Sequence, residues 1–179
     1  MLHEWQISLS GKNVESVKAF IENKAETNKD IFVVYGHDIN ARTQLDAMLR
    51  RWDLKPIILD QLASGGKTII EKLEEYSAKA NYAIVLATPD DVGRCLTEEK
   101  MKKRVRQNVV LELGMFLSKL GREKVAILLK QVDETEDFER PSDIEGLIYI
   151  PFQKNIEETK DSLVKELARQ NYDIDIKNL

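Results

Sequence analysis

The sequence predicts an α/β domain built on a parallel sheet with helices on both faces. Three observations carry that reading. Five short runs are apolar on consecutive residues, as strands covered from both sides are. Amphipathic segments of helical period separate most of them. At 179 residues, with 42% apolar and 32% charged residues, the chain is the size of one domain able to bury a real core. Five strands joined by helical crossovers in this length favour the flavodoxin-like order 2-1-3-4-5.

Each element follows from local chemistry. Residues 1–29 read as an extension with one helix, in which Asn13 caps a face of Val14, Val17, Phe20 and Ile21. The domain proper is expected over 30–179. "IFVVY" (31–35) is the first buried strand, between Asp30 and Gly36. The next helix spans 40–52, with Leu45, Met48, Leu49 and Trp52 inward. "KPIILD" (55–60) is the second strand, its proline tolerated at the start. A helix over 68–80 leads to "YAIVLAT" (82–88), halted by Pro89. "NVVLELGMFLSKL" (108–120) is a helix apolar nearly all round, ended by Gly121. "VAILLK" (125–130) and "LIYIPF" (147–152) are the fourth and fifth strands, and a helix over 156–170 closes the domain. Residues 89–105 and 131–146 have no regular pattern and read as long loops.

Composition excludes several functions. A formal charge of −4 leaves no basic excess for a dedicated nucleic-acid binder. One cysteine, Cys95, and two histidines, His3 and His37, cannot build a zinc site, so no metal is expected. The first residues lack the pattern of a signal peptide, and no run is long enough to span a membrane. The expectation is a cytoplasmic protein with no membrane partner.

In a sheet of this order, ligands sit beyond the carboxyl ends of the strands, where the strand order reverses. That rule nominates Gly36, His37 and Asp38 after the first strand, and Asp90 and Asp91 after the third. The loop after the second strand, with Ser64, Gly65, Gly66 and Lys67, can overhang the same crevice. "GGKT" echoes the end of a phosphate-binding loop, but position 61 is Gln where that motif needs Gly, so a P-loop NTPase is disfavoured. A phosphoacceptor receiver domain shares the strand order, yet the first strand lacks the adjacent acidic pair that would hold magnesium. Glu112 is the singular residue. It stands in an apolar helix one turn after Asn108 and one turn before Met115 and Phe116. A buried carboxylate needs a partner or a task. For an isolated glutamate a helix cap or a salt bridge to Arg104 or Arg106 is the plainer reading; in an almost entirely apolar helix beside a ligand crevice the balance moves to a ligand-facing carboxylate.

The segments "VVYGHD", "TIIEKLEEYS", "AIVLATPDDVGR" and "RVRQNVVLELGMFLSKLGREKVAIL" resemble, in order and spacing, the TIR-like domains of CBASS and Pycsar antiphage effectors, including those fused to bacterial STING. The likeness runs from about Ile31 to the C-terminus. It implies cleavage of NAD⁺ at the nicotinamide–ribose bond, with NAD⁺ as substrate and no cofactor, and with Glu112 as the catalytic residue. Tyr35, Gly36, His37, Asp38, Ser64, Gly65, Gly66, Lys67, Asp90, Asp91, Arg106 and Asn108 then become candidate substrate contacts. For Asp90 and Asp91 a contact to adenosine and a helix cap remain alternatives, as do orientation of Glu112 and simple solvation for Arg106. The resemblance also implies self-association through TIR–TIR contacts and a cyclic-nucleotide sensor in a companion domain or protein. Its alternative function is a non-catalytic interaction or nucleotide-binding signalling module.

Overall fold

A computed structural model describes residues 29–62, 65–132, 138–139 and 146–175. The helix expected near Val14–Ile21 and the candidate Ser64 lie outside the described residues.

The main sheet has five strands, all parallel: β1 (Asp30–Val34), β2 (Lys55–Ile57), β3 (Ala83–Ala87), β6 (Val125–Lys130) and β8 (Ile148–Phe152). They lie side by side in the order β2-β1-β3-β6-β8, which is the expected flavodoxin-like 2-1-3-4-5 arrangement. Registers are Ile31 with Pro56, Val33 with Ile84, Val85 with Ile127 and Leu128 with Ile150. Pro56 and Pro151 both fall on edge strands, where a missing N–H leaves no gap in the ladder.

Alternation along the strands divides the core in two. Ile31, Val33, Ile84, Leu86, Ala126 and Leu128 face one layer, which α1 (Ile39–Arg51) and α4 (Lys160–Arg169) complete with Leu45, Met48, Leu49, Leu163 and Leu167. Phe32, Val34, Val85, Ile127 and Leu129 face the other, covered by α2 (Ile69–Ser77) and α3 (Gln107–Leu120) through Leu73, Val109, Leu113 and Phe116. The rings of Phe32 and Phe116 meet at 4.4 Å between centroids, tilted by 46°. Every residue of β3 is buried, which is why its sequence shows no polar alternation.

Two stretches read as loops contain short strands. β4 (Asp91–Gly93) pairs antiparallel with β5 (Lys102–Arg104), and β5 pairs parallel with β7 (Phe138–Glu139). Strands of two or three residues such as "DVG" and "KKR" carry too little pattern to be read in sequence. The second strand is also shorter than expected. It stops at Ile57, and Leu59–Gln61 winds into a 3₁₀ turn that carries Asp60 off the sheet. No helix among the described residues is long and apolar enough to cross a membrane.

The two faces of α3 give an expected outcome. Phe116→Ala should lower unfolding free energy in urea by about 3–5 kcal/mol through lost burial and a cavity. Leu111→Ala, exposed on the same helix, should stay within about 0.5 kcal/mol. Equal losses would show that α3 does not dock by its Val109–Leu113–Phe116 face.

Candidate active site

A cavity of about 380 Å³ opens at the carboxyl ends of β1 and β2. The end of β1 supplies Val33, Tyr35 and Gly36, the 3₁₀ turn supplies Leu59, Asp60 and Leu62, and α2 supplies Ile69 and Lys72. The start of α3 supplies Arg106, Asn108 and Glu112. Crossover geometry puts this opening where the crevice rule expects it, beside the reversal between β1 and β3.

Glu112 reaches this cavity because α3 turns Val109, Leu113 and Phe116 into the core, leaving Asn108 and Glu112 along the adjoining side. Its carboxylate takes no hydrogen bond from the described residues. Withdrawal from water pushes the Glu112 carboxyl up to about 7, and the Arg106 guanidinium opposes that only in part. The salt-bridged reading of this glutamate is therefore not what the described residues present: Arg106 acts through its field, without a close ion pair. Arg106 stands at the N-cap of α3, with no side-chain cap bond.

Tyr35 lines the same cavity as Glu112. Its hydroxyl donates a short hydrogen bond to Asp60, and the Arg42 guanidinium lies 5.4 Å from its ring centroid. Burial and the Asp60 carboxylate push the Tyr35 phenol up to about 12, so it remains a donor across the neutral range. Asp60 is thereby a second carboxylate at the cavity, and nothing in the sequence marked it. The signal was hidden in a strand pattern that runs three residues too far. Lys72, 8% exposed, was missed as one more polar position of an amphipathic helix.

Gly36 lines the cavity and is held from behind. Asp90 Oδ2 accepts from the His37 N–H at 3.0 Å and from the Thr88 hydroxyl at 2.7 Å, tying the β1 loop to the β3 loop. A Cβ at Gly36 would lie 1.8 Å from Asp90 Oδ2, so this close approach requires glycine. The capping alternative for Asp90 and Asp91 gives way here, since a strand and not a helix follows: Asp91 opens β4 opposite Arg104.

Other candidates are engaged elsewhere. Asp38 caps α1 by accepting from the Ala41 N–H at 2.9 Å and pairs with Lys130 at 2.7 Å. Burial alone would raise its carboxyl, but those hydrogen bonds outweigh it and hold the group below its usual range. His37 is exposed. Gly65 and Gly66 both take positive φ, 54° and 76°, in the turn before α2. At the start of α2 the Thr68 and Glu71 amides are answered internally, by the capping box that these two residues form. Lys67 pairs with Glu75 at 2.5 Å. Of the expected contacts, the cavity lining thus unites Tyr35, Gly36, Arg106, Asn108 and Glu112, while His37, Asp38, Gly65, Gly66, Lys67, Asp90 and Asp91 stand outside it. The loop at 89–100 was expected to wall the crevice; the start of α3 does so instead. Among the described residues, no cluster of three His, Cys, Asp or Glu side chains could hold a metal ion.

Residues 30–154 match the family described as CAP12/Pycsar effector protein, TIR domain. The chain belongs to that family. The TIR domain is 37% identical over 175 residues to the uncharacterized protein YuaY of Escherichia coli K12, covering 93% of this chain and 56% of that one. It is 27% identical over 150 residues to protein tirC of Dictyostelium discoideum, covering 80% and 74%. A third relative is the Pycsar effector protein PaPycTIR of Pseudomonas aeruginosa, 34% identical over 99 residues, covering 55% and 30%. The chain therefore spans about half of the Escherichia coli relative and less than a third of the Pseudomonas one.

The carboxylate of the TIR domain has a measurable signature. Between the unfolded-chain value of 4.5 and about 7, the folded state keeps a proton that the unfolded chain releases. Stability from this group is therefore lost as pH rises through that window. At pH 8, Glu112→Gln should melt higher than the native chain, by about 1–2 kcal/mol once partial exposure is discounted. At pH 5, with the native carboxyl largely protonated, the two curves should nearly coincide. A constant difference across pH would mean that Glu112 is solvated or ion-paired.

Proposed function

We propose that this TIR domain is an NAD⁺ glycohydrolase of an antiphage defence system. The observation that carries the reading is Glu112, a carboxylate without a hydrogen-bond partner among the described residues, in a cavity near the switch point of the strand order, where such sheets bind ligands. Family membership supports the same reading. The CD-NTase-associated protein 12 of Sphingobacterium faecium and the Pycsar effectors among its relatives support a cyclic-nucleotide signal upstream; activation by self-association is part of the same proposal.

The chemistry needs little more than one negative charge. Heterolysis of the nicotinamide–ribose bond sends its electron pair to the ring nitrogen, so a cationic ring leaves as a neutral molecule and needs no proton. The deficit stays on the ribose as an oxocarbenium-like centre, which the Glu112 carboxylate offsets in a site shielded from water. Water then adds at the anomeric carbon and releases a proton, giving ADP-ribose; attack by a base nitrogen of the same molecule gives a cyclic isomer. Asn108 can hold a ribose hydroxyl, and Tyr35 with Asp60 offers a donor–acceptor pair at the rim.

The raised carboxyl sets the pH dependence. Only the ionised form is active, so kcat/KM should rise with pH and level off above about 7. In the bound complex the cationic ring favours the carboxylate, and the kcat profile should bend at lower pH. Glu112→Gln should reduce nicotinamide release by about 10²–10³ or more with the fold intact. The assay is nicotinamide release at high protein concentration, with thermal melts alongside. Near-native turnover by Glu112→Gln would overturn the enzymatic reading and leave a TIR–TIR interaction or nucleotide-binding module.

A further inference from the structure

Lys72 is the one ammonium in the cavity wall that the proposed chemistry leaves idle. It sits on α2, is 8% exposed, and donates to the Leu62 carbonyl at 2.9 Å. An ammonium has three N–H donors. No carboxylate among the described residues pairs with it. One donor is met by the Leu62 carbonyl, and the others are available to an anion that enters the cavity.

The cavity narrows the choice of anion. Its wall carries two cations, Lys72 and Arg106, and two carboxylates, Asp60 and Glu112. Asp60 takes the Tyr35 hydroxyl, and the field of Arg106 falls on Glu112. The loop cation Lys67 is held by Glu75 outside the lining, and Glu71 occupies the start of α2, where it would repel an incoming anion. Of the two cations, Arg106 has its field on Glu112, whereas no carboxylate among the described residues answers Lys72, which is therefore the one assigned to an anionic group. We infer that Lys72 binds the diphosphate of a dinucleotide ligand, acting as a point-charge donor from the α2 wall of the cavity. This rests on the cavity being the dinucleotide site. It assigns the phosphate-binding cation to the helix and not to the glycine loop. The bond to Leu62 presets the ammonium, so less side-chain freedom is lost on binding.

The test uses the 179-residue chain and two probes, ADP-ribose and inorganic pyrophosphate, titrated calorimetrically. Lys72→Gln keeps a donor for the Leu62 carbonyl but drops the charge, and should weaken both probes by about tenfold or more. Lys72→Arg should restore binding to within about threefold of native. Lys124→Met, which removes the same charge from an exposed site, should bind as the native chain does. In the native chain, pyrophosphate should also shift the Lys72 side-chain Cε–H resonance and leave that of Lys124 in place, a readout that needs no variant to fold. Native-like binding by Lys72→Gln, or an unmoved Lys72 resonance, would overturn the inference. Lys72-dependent binding of pyrophosphate without any nicotinamide release would leave it standing and sink the glycohydrolase reading. Nicotinamide release with a KM indifferent to Lys72 would do the reverse.

Discussion

Burial of the central strands on both faces is the constraint on which the rest depends. β3 exposes no residue, and β1 and β6 little more, so the sheet has no polar surface of its own. Any polar chemistry must collect where strands end and helices begin. In a parallel sheet those carboxyl ends all open to one side, and the reversal between β1 and β3 separates the loops there enough to admit a ligand. The cavity is thus a consequence of how the core is sealed.

The same sealing explains the electrostatics of the site. Phe116 and Leu113 dock α3 so deeply that Glu112, on the adjoining side, is drawn half out of water. Its raised carboxyl and its place in the cavity come from one cause. Asp38, at the same edge of the sheet, goes the other way, because a helix N-terminus and Lys130 answer its charge. Two acids within one topological feature are pushed apart by their surroundings. One serves the fold, and the other lines the cavity without a hydrogen-bond partner among the described residues.

Strand runs, helix faces and strand order were legible because each rests on residues repeated along the chain. Val33 is read together with Ile31, and Leu49 with Leu45. Glu112 was legible for the opposite reason, as a charge that breaks an otherwise apolar pattern. Asp60 and Lys72 were not. Asp60 ends a strand-like run whose last residues curl into a 3₁₀ turn, where Asp60 accepts from the Tyr35 hydroxyl, a residue far away in sequence. Lys72 reads as an ordinary solvated position of α2, and only the descent of the Leu62 carbonyl towards it makes it a wall of the cavity. The glycine loop misled in the converse sense. Its composition suits anion binding, but Glu75 pairs with the Lys67 ammonium, and the capping box engages the Thr68 and Glu71 amides at the start of α2.

Gly36 shows how the fold and the site share one physical link. The Asp90 carboxylate passes so close that only a hydrogen fits at that carbon, and it pins the His37 amide in the same step. The β1 loop is thereby fixed from β3, its sheet neighbour, without any group that reaches into the cavity from the β3 loop. This accounts for a β3 loop that fails to wall the crevice and yet governs its shape. Asp90 packs against Gly36 and accepts from the His37 amide, and Tyr35, next in the chain before Gly36, donates to Asp60 at the rim. The route from Thr88 to Asp60 runs through hydrogen bonds and one missing side chain, and it crosses the sheet at the point where its strand order turns.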